Sequence, residues 1–252
     1  EGTVEFRNVS FRYKDSTEDE LSGINFKVEK GKTLAIIGAT GSGKTTLVNL
    51  IPRTYDATQG EVLVDGVNVK DYTQKALLDK IGFVTQKATL FSGTIKDNVF
   101  FGESRTDYDD ADLSEALEAS QASEFVDKLP EKSEHKIAQL GRNVSGGQKQ
   151  RISIARALAR KPEILVFDDS FSALDYRTDA RLRKELNEKF KGVTKIIVAQ
   201  RVSTIRHADE ILVLDRGETV GRGTHDELIE SCGIYREIAA SQTGSQKEEK
   251  RV

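Results

Sequence analysis

Apolar and polar residues alternate through residues 3–13, with Val4, Phe6, Val9, Phe11 and Tyr13 on the apolar positions. A period of two marks half-buried strand, so one or two strands are predicted there. Lys14 to Glu20 reads as a charged turn, and the alternation resumes at Ile24, Phe26 and Val28. After a break at Gly31, Lys32 to Ile37 is a short, largely apolar run of strand type, and Thr46 to Ile51 reads as a helix stopped by Pro52. Further strands are predicted at Gly60–Gly66, between two turn glycines, and at Ile81–Thr85, with a short helix over Gln74–Lys80 between them. From about Lys87 to Arg160 the strand signal fades. Asp110–Leu129, ended by Pro130, and Ser145–Arg160 carry helical spacing instead.

The strand pattern returns at Glu163–Asp168 and is followed by an amphipathic helix over Asp175–Lys191. A strand is predicted at Thr194–Ala199, then a short helix capped by Ser203 and a hairpin over Ile211–Val220 turning at Arg216-Gly217. Two terminal helices follow. Ser241 to Val252 is polar and charged, a composition expected to be disordered. The pattern therefore predicts an α/β domain over residues 1–240. It has an antiparallel β subdomain at the start, a mixed sheet flanked by helices, and a helical subdomain inserted at about 87–160.

The helix over Thr46–Ile51 is preceded by Gly38-Ala39-Thr40-Gly41-Ser42-Gly43-Lys44-Thr45, which reads G-x-x-x-x-G-K-T between a predicted strand and a predicted helix. That is the context in which such a loop cradles phosphates. Glycines allow positive φ and bring backbone N–H groups close to phosphate oxygens. The helix start adds donors and a partial positive charge. Lys44 can reach β- and γ-phosphates and Thr45 can place its hydroxyl on Mg²⁺, with Thr46 opening the helix behind them. The fold class expected is thus a P-loop NTPase core.

Composition adds boundaries. Among 252 residues, 31% are charged and 37% hydrophobic, with a net charge of −3, so no strong overall field favours nucleic acid. Cys232 is the single cysteine, which excludes an internal disulfide and fits a reducing compartment; it reads as a small buried helix residue. No apolar run approaches the ~18 residues of a membrane span. The chain has no methionine and begins at Glu1, as expected of a piece of a longer protein or of a processed chain.

Two more constellations carry chemistry. The predicted strand Ile164–Phe167 runs into Asp168-Asp169. A carboxylate at a strand end can hold the water shell of Mg²⁺, although two acids at a strand end can also be solvent-facing only. Val144-Ser145-Gly146-Gly147-Gln148 opens a predicted helix. Ser145 can cap it while the glycines bare its first-turn N–H groups, which is a second anion site or an ordinary cap.

Taken together, Tyr13, the GATGSGKT loop, Gln86, SGGQ about twenty residues before a strand ending in Asp168-Asp169, Ser172-Ala173-Leu174-Asp175 and Ala199-Gln200-Arg201 resemble the nucleotide-binding domain of an ABC transporter over nearly the whole chain. Thr89 to Asn98 (TLFSGTIKDN) resembles the exporter branch, in which a membrane domain is usually fused upstream. The resemblance implies ATP and Mg²⁺ as cofactors and a head-to-tail dimer with a second such domain. Each ATP would lie between the loop at 38–46 of one domain and the Ser145-Gly146-Gly147-Gln148 helix of the other. It also implies work at the cytoplasmic face of a membrane. Tyr13 would stack on adenine. Thr45, Gln86 and Asp168 would ligate Mg²⁺, and Asp175 would lie in a loop crossing the dimer interface while also serving as a helix cap.

The sequence departs from the family pattern in three places. The residue after the Mg²⁺-binding Asp is normally Glu and polarises the attacking water; here it is Asp169. A carboxylate one methylene shorter falls roughly an ångström short, and a misplacement of that size can cost roughly 10²-fold. Position 200, normally His, is Gln200, which donates a hydrogen bond but carries no charge. Gln139 stands where exporters often carry Glu. With the Mg²⁺ set and SGGQ intact, the resemblance is to one half of a heterodimeric exporter, with a weakly hydrolysing site of its own and a working SGGQ lent to a different chain. A slow homodimer and a soluble, non-transport ABC ATPase are the alternatives.

Overall fold

The structure, a computed structural model, describes residues 1–102 and 107–249. The chain forms two compact units, one from Glu1–Thr73 with Thr194–Val252 and one from Gln74–Val193.

The first unit opens with β1 (Val4–Phe11), β2 (Leu21–Val28), β3 (Thr33–Gly38), α1 (Lys44–Asn49), β4 (Gln59–Val64) and β5 (Val67–Asn68). The predicted alternation is realised: Val4, Phe6, Val9 and Phe11 are buried on β1, opposite Ile24, Phe26 and Val28 of β2. Both neighbours of β1 run antiparallel to it, giving the order β2-β1-β4-β5. Phe6 and Phe26 face each other directly in register and stack with ring centroids 4.4 Å apart. Cross-strand aromatic pairs of this kind fix which face of a sheet turns inward.

The second unit contains α2 (Gln74–Lys80), β6 (Ile81–Val84), β7 (Gly93–Thr94), α3 (Ile95–Val99), α4 (Asp110–Ala119), α5 (Ser123–Val126), β8 (Lys136–Ile137), α6 (Gly146–Ala159), β9 (Ile164–Asp168) and α7 (Tyr176–Lys189). β6 pairs in parallel with β9, whose five residues are all buried. A parallel strand covered on both faces has to be apolar throughout, which is why Ile164 to Phe167 shows no alternation. The helix predicted over Asp110–Leu129 is two helices. Gln121 takes φ 62 between them, and the Ala122 N–H turns back to the Leu117 carbonyl at 2.8 Å, closing α4. No Gly or Pro marked that break.

The chain then returns to the first unit with β10 (Thr194–Val198), α8 (Val202–Ile205), β11 (Glu210–Asp215), β12 (Glu218–Gly223), α9 (His225–Ser231) and α10 (Gly233–Glu249). β10 and β11 flank β3, both parallel to it, and β12 closes the edge antiparallel to β11. The β11–β12 turn lies at Arg216-Gly217, as predicted, with both residues at positive φ. Ser203 does not cap α8: the cap position is Arg201, whose side chain makes no cap bond, and Ser203 lies inside the helix. α10 continues as helix to Glu249, past residue 240, where the polar composition led to an expectation of disorder. Cys232 is free and buried at the end of α9. No described helix is long and apolar enough to cross a membrane.

Candidate nucleotide site

In the first unit, the GATGSGKT loop joins β3 to α1. Gly43 occupies the helix cap position at φ 96, and Gly41 has φ 78. Gly38 has a different reason to lack a side chain: a Cβ there would come within 2.2 Å of the Leu214 carbonyl oxygen on β11 and 2.6 Å of Ser42 Oγ. α1 begins at Lys44, two residues earlier than predicted, so Lys44 and Thr45 belong to its first turn. The Lys44 ammonium folds back over the loop, donating to the carbonyls of Gly38 (2.8 Å) and Ala39 (2.7 Å) and to Ser42 Oγ (3.3 Å). Thr45 is exposed and Thr46 buried. The lysine thus rests on carbonyl and hydroxyl acceptors of its own loop, at the start of a helix whose first N–H groups have no partner within the helix.

Tyr13 lies just beyond β1, 38% exposed, with its hydroxyl 2.9 Å from Thr46 Oγ1. Its ring meets Phe11 edge-on at 4.8 Å and Tyr55 edge-on at 5.4 Å. Tyr13 thus offers an accessible aromatic surface tied to the first turn of α1. Tyr55 was not singled out from the sequence, where no periodic pattern surrounds it. Gln200, also in this unit, is exposed after β10.

In the second unit, β9 carries Asp168 at its end, 4% exposed, followed by Asp169, 6% exposed. Asp169 takes φ 47, a left-handed conformation that aspartate tolerates better than most residues. Its carbonyl accepts from Ser172 Oγ at 2.7 Å, which fixes the turn. Gln86, two residues beyond β6, donates its side-chain Nε2 to Asp169 Oδ2 at 3.1 Å. The structure therefore brings Gln86, Asp168 and Asp169 together.

Ser145 caps α6 as predicted. Its Oγ accepts from the Gln148 N–H (3.2 Å), and Gln148 Oε1 accepts from the Ser145 N–H (2.9 Å), a reciprocal capping box. Gly146 has open space where a side chain would sit, and a Cβ on Gly147 would lie 3.4 Å from the Ala173 carbonyl. Asp175 caps α7, accepting from Thr178 N–H (2.9 Å) and Thr178 Oγ1 (2.7 Å), and these bonds hold its carboxyl below the usual range. Gln139 is exposed in the segment before α6.

A polar hub in this unit escaped the sequence reading. Arg156 of α6 donates to the Asn98 carbonyl (2.7 Å), Asn98 Oδ1 (3.1 Å) and the Thr89 carbonyl (3.1 Å). Buried Asn98 in turn accepts from Phe91 N–H and donates to the carbonyls of Phe91 and Thr94. The segment 89–98 is thereby fastened to the helix that SGGQ opens. Burial lowers the guanidinium pKa to about 10, and the carbonyl partners compensate the desolvated charge. The one available signal was an arginine four residues after Ile152, on a buried helix face.

These features define a nucleotide-binding α/β domain with a phosphate loop and a separate SGGQ helix. A profile described as ABC transporter matches residues 21–172, well over half the chain, and the chain belongs to that family. It is an ATP-binding domain of the ATPase kind. An ATP-dependent lipid A-core flippase of Haemophilus influenzae (strain 86-028NP) is 42% identical over 241 residues, 96% of this chain and 41% of that protein. A solved structure of a bacterial Atm1-family ABC exporter with ATP bound superposes with a TM-score of 0.91 at 37% identity, covering 96% of this chain and 42% of that one. The chain thus spans about two-fifths of the length of these relatives.

Proposed function

We propose that the chain is the ATP-binding domain of an ABC exporter whose own site binds Mg-ATP but hydrolyses it slowly. In this reading Gly38 to Thr46 wraps the phosphates, Lys44 leaves its loop carbonyls for the β- and γ-phosphates, and Tyr13 stacks on adenine. Thr45, Gln86 and Asp168 supply hydroxyl, amide and carboxylate oxygens, the hard donors Mg²⁺ takes. Among the described residues no cluster of three or more His, Cys, Asp or Glu is placed to hold a metal, so such an ion would complete its shell with phosphate and water. When bound, Mg²⁺ neutralises charge developing on the phosphates.

The observation that carries the slow-hydrolysis reading is the Asp169–Gln86 bond. Oδ2 of the shorter carboxylate accepts from an amide 83 residues away, which directs part of its acceptor capacity away from the water that a general base has to reach. Loss of such a base costs roughly 10²–10⁴-fold. Gln200 adds a second loss, since it supplies no positive charge to the γ-phosphate. Ser145, Gly146, Gly147 and Gln148 form an intact cap and would serve ATP held by a second ABC domain, on a different chain, with Asp175 in the loop crossing between the domains. A membrane domain fused upstream, at the cytoplasmic face of a membrane, completes the proposed exporter; nucleic acid has no part in it.

The test is Mg-ATP binding by titration and turnover of the purified chain, beside Asp169→Asn. Binding with slow turnover, little changed by the substitution, is the expected result. Brisk turnover abolished by Asp169→Asn contradicts the reading and favours a working homodimer.

A further inference from the structure

Gln242 belongs to α10, yet its side chain closes on the backbone just after β10. Its Oε1 accepts from the Val202 N–H at 2.8 Å, and its Nε2 donates to the Gln200 carbonyl at 2.6 Å. One amide therefore spans the backbone of residues 200–202 with both of its polar atoms. The Val202 N–H is the first of α8, and helix-start donors have no partner within their own helix. The residue at the cap position, Arg201, makes no side-chain cap bond. A residue 40 positions away supplies the cap that local sequence does not.

The base of α10 is fixed independently. Tyr235 is fully buried, and its hydroxyl lies 2.7 Å from His225 Nδ1 on α9. Gln242 is seven residues further, about 10 Å along the helix. It also lines a cavity of about 240 Å³ with Arg206, His225 and Ala239, so water can reach the segment once the amide lets go. Because α8 has only four residues, it has little stability of its own to hold the 200–202 backbone in place.

We infer that Gln242 is a positioning residue: the C-terminal helix clamps the Gln200–Val202 backbone and so sets where the Gln200 side chain is presented. The functional half of this inference rests on the proposed role of Gln200 toward the γ-phosphate; the clamp itself does not. Movement of α10 would be felt at residue 200 through the Gln242 side chain.

The experiment compares Gln242→Ala and Gln242→Glu with the parent chain. Glu keeps an acceptor for the Val202 N–H but loses the donor to the Gln200 carbonyl. Amide exchange over residues 199–206 should accelerate roughly fivefold at Val202 in Gln242→Ala, the loss of about one hydrogen bond, and remain near parental in Gln242→Glu. Exchange in β10 should not change. The residual turnover of both variants should fall in kcat, with KM for Mg-ATP within about twofold. Unchanged exchange at Val202 in Gln242→Ala overturns the clamp. Uniform loss of protection across β10 also overturns it, because Gln242 would then be a general packing residue. Gln200→Ala is run in parallel. If it leaves turnover unchanged while Gln242→Ala still frees the Val202 amide, the role given to Gln200 falls and the clamp stands.

Discussion

Lys44 and Asp169 are held in opposite ways. Every partner given above for the Lys44 ammonium lies within six residues of it, in the loop itself. The Asp169 carboxylate meets a side chain 83 positions away. The loop's own carbonyls seat the lysine, although β11 packs closely behind the loop at Gly38. An acid whose orientation depends on a remote partner is sensitive to a single methylene. The phosphate loop is unaltered in type here, while the departures from the family pattern fall on Asp169, Gln200 and Gln139.

Removing the locally held group should have the largest effect. Lys44→Ala deletes a charge-assisted partner of phosphate oxygens, and such bonds contribute about 1.5–3 kcal/mol each. Affinity for Mg-ATP should fall on the order of 10²-fold in a titration, with the unfolding midpoint nearly unchanged. Retained affinity would show that the loop's backbone donors suffice and would erase the contrast. Next in size is Arg156→Ala. It strips carbonyl partners in the second unit and should cost about 2–3 kcal/mol in urea unfolding, while ATP affinity moves by less than about threefold. A large affinity loss without destabilisation would mean that the hub serves the nucleotide and not the packing. Tyr13→Ala should weaken ATP about tenfold through lost stacking. Tyr13→Phe, which loses only the contact with Thr46, should weaken it by no more than about threefold. Equal effects of the two changes would transfer the role from the ring to the hydroxyl.

The same contrast explains what could be read in the sequence. Features encoded within a few adjacent residues were legible: the alternation of β1 and β2, the apolar runs of β3 and β9, the GATGSGKT loop, the Ser145 cap of α6 and the Arg216-Gly217 turn. Features that depend on distant partners were not. Gln121 breaks a helix with no glycine to announce it. Arg156 and Asn98 meet across 58 residues, and Gln242 caps α8 in place of the expected Ser203. Local propensity carries no record of a cap supplied from another helix, nor of a buried arginine whose partners are carbonyls. Composition likewise expected disorder from residue 241, where the chain in fact continues α10.

The central claim is that this domain holds ATP competently and lacks the reach and charge to split it quickly. The most direct measurement is the rate of Mg-ATP hydrolysis by the chain and by its Asp169→Glu, Gln200→His double variant under identical saturating nucleotide. A rise of roughly 10²-fold with unchanged affinity is the expected result, matching the cost of an ångström-scale misplacement of a base. A parent chain that already hydrolyses as fast as the double variant would contradict the account.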